Sequence, residues 1–111
     1  MNNEKNMQIQ TEKGHCHITF SNGLRISIFN GAGSYCDFGA WEDDLPFKRT
    51  PNCEIAILFC DSEFVTNEFC KTDDGEVKGY VTSDELAKII YEVSKYDVTQ
   101  LICKKEDEKD E

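Results

Sequence analysis

The chain reads as an α+β domain: an antiparallel sheet of about four or five strands with one principal helix packed on one face. Three observations predict it. Cys16, Ile18 and Phe20, then Leu24, Ile26 and Ile28, alternate with other residues on either side of Ser21-Asn22-Gly23, which is the pattern of a β-hairpin. The nearly unbroken apolar run from Cys53 to Phe59 suits a strand in the interior of a sheet. Leu86, Ile89, Ile90 and Val93 recur at helical spacing behind Thr82-Ser83-Asp84-Glu85, a capping box followed by one apolar stripe.

With 111 residues the chain has room for a single core. Residues 1–14 read as a frayed start with a short strand near Met7 to Thr11, residues 15–103 as the domain, and residues 104–111 as a charged tail, disordered in isolation. In the first hairpin, loop length decides which side chains share a face. A three-residue loop with Gly23 in the left-handed position pairs Phe20 with Leu24, Ile18 with Ile26 and Cys16 with Ile28, making one face wholly apolar. His15 and His17 then stand together on the opposite face.

The connection from Asn30 to Asn52 holds three glycines, two prolines, Trp41 and the triplet Glu42-Asp43-Asp44. Loops of such length are often functional, and this one is a candidate binding loop. After the Cys53–Phe59 strand, a turn at Asp61-Ser62 leads into a returning strand from Phe64 to Cys70. Lys71 to Glu76, with Asp73-Asp74-Gly75, reads as a turn rather than a calcium loop, because the spaced oxygen ligands and terminal glutamate are missing. A short strand from Val77 to Val81 follows, then a helix of about four turns from Ser83 to Tyr96, and last a strand or helical turn between Asp97 and Cys103.

Six cysteines in a chain whose start is polar and which has no run of transmembrane length point to a reduced, cytoplasmic compartment rather than a disulfide framework. A turn centred on Asp61-Ser62 sets Cys53 opposite Cys70, close enough to share a metal. Cys36 and His17 complete a conceivable Cys3His site, and a structural zinc ion is the expected cofactor. Other readings stay open: Cys16, Cys53, Cys60 and Cys103 as small apolar core residues, or a redox disulfide between Cys53 and Cys70. No Cys-x2-Cys knuckle occurs. Cys16 is sent by alternation to the face opposite both histidines, so no nucleophile and base meet there. No constellation for an enzyme emerges.

The charge is the stronger lead. The formal net charge is −10, and residues 31–111 carry 20 acids against nine bases, whereas residues 1–30 carry two against three. Such a field repels free nucleic acid and anionic membranes and attracts basic protein surfaces, including grooves that hold nucleic acid. Trp41, beside Glu42, Asp43 and Asp44, reads either as an apolar contact anchor within negative charge or as a lid on the core, with Asp73 and Asp74 as a second acidic loop.

The segments Ser21-Asn22-Gly23-Leu24, Gly31-Ala32-Gly33-Ser34-Tyr35-Cys36, Cys53-Glu54-Ile55-Ala56-Ile57 and Lys78-Gly79-Tyr80-Val81-Thr82 resemble a group of small proteins from bacteriophages and other mobile elements, over about residues 15–96. In size and charge the chain is also similar to anti-CRISPR proteins, which bind the RNA-guided nuclease of type II systems and obstruct DNA loading. The resemblance implies a cytoplasmic inhibitor in the bacterial host, acting on the basic surface of a nucleic-acid-handling defence enzyme. A metal- or thiol-dependent regulator or enzyme with a cysteine centre, and a structural phage component, are the alternatives.

Overall fold

The computed structural model describes residues 7–12, 14–30, 50–72 and 74–101. They form an antiparallel sheet and one main helix. The strands are β1 (Gln8–Glu12), β2 (His15–Thr19), β3 (Leu24–Phe29), β4 (Asn52–Phe59), β5 (Glu63–Phe64) and β6 (Lys78–Thr82), and the helix is α1 (Ser83–Ser94). Strands β1 to β5 lie in chain order, while β6 also pairs with β4. Two short strands therefore share one edge of β4: β5 at Leu58 and Phe59, β6 between Asn52 and Ile55.

The first hairpin takes the register expected from its apolar matching, with Cys16 opposite Ile28 and Ile18 opposite Ile26. Gly23, at φ +90°, supplies the left-handed turn residue, where a side chain would be strained. Gln8–Glu12 is more than part of a frayed start: five consecutive pairs bind it to β2, so the sheet begins ahead of His15.

Directly paired residues share a face, so the register sorts the sheet. Leu24, Ile26, Ile55 and Ile57 all project to one side, where they are almost wholly buried with Val81 and with Val93 of α1. Ile89 and Leu101 complete this core, and Leu86 and Ile90 pack against it. Helix α1 is capped at Thr82, whose hydroxyl accepts from the Glu85 amide at 3.3 Å and donates to Glu85 Oε1 at 3.1 Å. Asp84 and Glu85 lie in its first turn, where negative charge suits the helix dipole. The helix ends at Ser94, two residues short of the expected Tyr96. There the Asn22 amide donates to the carbonyls of Val93 (2.8 Å) and Tyr96 (3.2 Å), while its oxygen accepts from the Leu24 amide. One turn side chain thus closes the first hairpin and occupies carbonyls at the end of the helix.

The expected register of the second hairpin is corrected. Cys60 and Asp61 both adopt left-handed backbone angles, φ +54° and +62°, so the turn sits one residue earlier than Asp61-Ser62. Leu58 consequently pairs with Phe64, and Phe59 with Glu63. The returning strand stops after two residues and becomes a single 3-10 turn, Thr66–Glu68. Cys53 faces Val81 of β6, not Cys70.

Thr66 explains the junction. It is fully buried, its hydroxyl accepts from the Ile57 amide (3.0 Å) and lies 2.7 Å from the Glu76 carbonyl, to which it donates. The adjacent Val65 amide donates to the Ile57 carbonyl at 2.8 Å. A side chain thereby replaces a ladder bond where β5 gives way to β6. Strand β6 begins at Lys78 and is bulged between its pairs with Cys53 and Ile55, and Tyr80 sits at φ +56°, a conformation uncommon for a bulky residue. Its ring is left exposed.

Candidate functional site

Two surfaces carry the polar chemistry of the described residues. The first is the acidic sector around the 71–77 loop and the start of α1. The Asn67 side-chain oxygen accepts from the Thr72 amide and hydroxyl, and the Thr72 hydroxyl accepts from the Gly75 amide. The Asp74 carboxylate accepts from the amides of Glu76 (2.9 Å) and Val77 (3.2 Å). These backbone donors, Glu76 first and Val77 second, hold the Asp74 carboxyl below its usual range, so a fully exposed charge is fixed in place at the rim. Asp74, Lys71, Lys78 and Tyr80 line a cleft of about 540 Å³, which mixes both signs of charge. Asp84 and Glu85 are exposed nearby in sequence, at the helix start that β6 feeds.

The second surface is the sheet face opposite the core. His15 and His17 of β2, Gln10 and Glu12 of β1, and Arg25 and Ser27 of β3 line a cleft of about 690 Å³. Alternation from the apolar face places His15 and His17 there, as the sequence predicts, and the β1–β2 register adds Gln10 and Glu12. His15 stacks on Phe29, its partner across the strand pair, with centroids 4.0 Å apart and planes at 10°. His15 and His17 meet edge to face at 6.4 Å. The Arg25 guanidinium is drawn toward the turn after β4, pairing with Asp61 at 3.2 Å and donating to Thr19 Oγ1 at 3.1 Å.

Of the expected partner contacts, Asp74 alone lies among the described residues; Trp41, Glu42, Asp43, Asp44 and Asp73 lie outside them. Of the expected metal ligands, Cys36 also lies outside. His17, Cys53 and Cys70 are described, and no three His, Cys, Asp or Glu side chains among the described residues form a group able to hold a metal ion. Cys53 is buried in the core, and Cys70 packs against it. Burial pushes the Cys70 thiol above its ordinary value, and its Sγ lies 3.7 Å from the Thr66 carbonyl. No disulfide joins the described cysteines. Cys60 is exposed in the turn, contrary to its reading as a core residue, while Cys103 lies outside the described residues.

Sequence reading did not single out Tyr80 or Thr66. The Gly79-Tyr80 step inside a short strand was the available signal for the bulge. Among the described residues no helix is long and apolar enough to cross a membrane. No family model, curated protein or solved structure matches the chain.

Proposed function

We propose that the chain is a binding protein that occupies a basic, nucleic-acid-holding surface of a bacterial host enzyme in the cytoplasm and so blocks that enzyme. The RNA-guided nuclease of type II CRISPR systems is the target suggested by the anti-CRISPR resemblance. The carrying observation is the charge balance of residues 31–111, 20 acids against nine bases. Such a nuclease holds its heteroduplex in a positively charged channel and reads it through the backbone, so a folded polyanion is its electrostatic complement. The fixed, ionised Asp74 supplies charge beside the exposed ring of Tyr80, and tyrosine is among the side chains enriched at interface hot spots. Trp41 with Glu42, Asp43 and Asp44 forms the companion contact in this reading.

The test is a binding titration of the full chain against the guide-loaded nuclease, with and without target DNA, over a range of salt. The expected result is competition with DNA and an affinity that falls steeply with added salt. Charge reversal at Asp73, Asp74 and the Glu42-Asp43-Asp44 triplet should weaken binding through a slower association rate. Unchanged affinity after both loops are reversed would defeat the proposal.

A further inference from the structure

We propose that His15 and His17 form a chelating site for a divalent transition-metal ion of the nickel, copper or zinc class, independent of the acidic sector and of the cysteines. Residues i and i+2 of a strand project to the same side about 6.6 Å apart along the chain, and these two imidazoles already lie side by side, edge to face, with centroids at 6.4 Å and planes at 82°. Metal–nitrogen bonds run to about 2.0–2.1 Å, so two rings on one ion have centroids separated by roughly 6 Å or less. A modest rotation of His17 closes that gap. His15 is braced by its stack on Phe29, so one ligand is preset and the other swings toward it.

The surroundings favour a cation. Glu12 lies directly across the strand pair from His15 and shares its face, and Glu54 follows Phe29 in the same cross-strand row. Arg25, the cation among the described residues lining this cleft, has its guanidinium engaged by Asp61 and Thr19. Imidazole pairs suit nickel, copper and zinc, and the exposed side of the cleft leaves the remaining coordination positions to water or to a further ligand. Cys16 projects to the opposite face of β2, so no thiolate enters this site.

Calorimetric titration of the reduced, full-length protein with nickel(II) chloride in a non-coordinating buffer tests the site. One equivalent should bind, and nickel should broaden the imidazole resonances of both histidines in the NMR spectrum. Groups that merely orient a metal ligand are worth about 10–100-fold in affinity, so His15→Ala and His17→Ala should each cost at least tenfold, while Cys70→Ser leaves binding intact. Both histidine changes lie on the face opposite the core and should leave the circular dichroism spectrum unaltered. Absence of binding, or binding that survives either histidine change, would overturn the assignment; so would a thiolate-to-nickel charge-transfer band accompanying the bound equivalent.

Discussion

The two faces of the sheet are made by alternate residues of the same strands, yet they do opposite work. In β3, Leu24 and Ile26 are sealed beneath α1 while Arg25 and Ser27 line an open polar cleft. Backbone pairing is common to both sides, so the stability of the domain depends on what covers a side chain rather than on strand membership. The polar face is correspondingly free to carry chemistry.

Truncation on each face sharpens that contrast. Ile57 is fully buried, and Ile57→Ala should cost about 2–5 kcal/mol, because a cavity opens beneath the helix. Its cross-face counterpart Ser27→Ala should stay within about 0.5 kcal/mol. Urea denaturation of the two variants checks the difference, and similar midpoints would show that α1 does not cover the sheet as described.

The junction at Thr66 comes next in size. Thr66→Val preserves shape but strips the partner from the Ile57 amide and the Glu76 carbonyl, so the expected loss is about 1–3 kcal/mol. Smaller again is Asn22→Ala, which removes one donor from each of the Val93 and Tyr96 carbonyls, the former keeping the Tyr96 amide; about 1 kcal/mol is expected. Thermal melts monitored by circular dichroism measure both.

The smallest effect is a pH dependence. Hydrogen bonds from Glu76 and Val77 to Asp74, and from the Thr99 side chain and backbone to Asp97, hold both carboxyls below the ordinary 3.8. A depressed folded-state value means the contribution to stability is complete above 3.8 and is lost as pH falls through the lower folded value. Asp74→Asn and Asp97→Asn should therefore melt slightly lower than the native chain near neutrality, with the difference vanishing in acid. A difference that grew on acidification would contradict the hydrogen-bond assignment.

The first hairpin was legible because two apolar triplets leave one register that buries both sets together. The second was not, for a local reason: Asp61 tolerates a left-handed backbone but Cys60 gives no such signal, and the register slipped by one. In addition the returning strand ends after two residues, so β6 takes over that edge of β4 and Cys53 meets Val81 rather than Cys70, removing the juxtaposition on which the zinc reading rests. The histidine pair survived because alternation alone fixes its face. The sequence marks Asn22 as a turn residue, but its bonds to the helix end span 71 and 74 positions, a separation that local patterns do not encode. Charge indicates the kind of surface the chain meets, and the identity of a partner resides in shape that composition does not carry.

The hydroxyl of Thr66 has one more consequence, for cooperativity. Two pieces of edge as short as β5 and β6 would ordinarily fray separately, each opening at its own small free energy. Because one buried oxygen bonds both to the strand that β5 joins and to the segment that leads into β6, neither piece can detach without breaking the same knot. The edge of β4 therefore opens as a unit, and the Ile57 amide should exchange its hydrogen with solvent at the pace of that joint event rather than at the pace of a loose hairpin end.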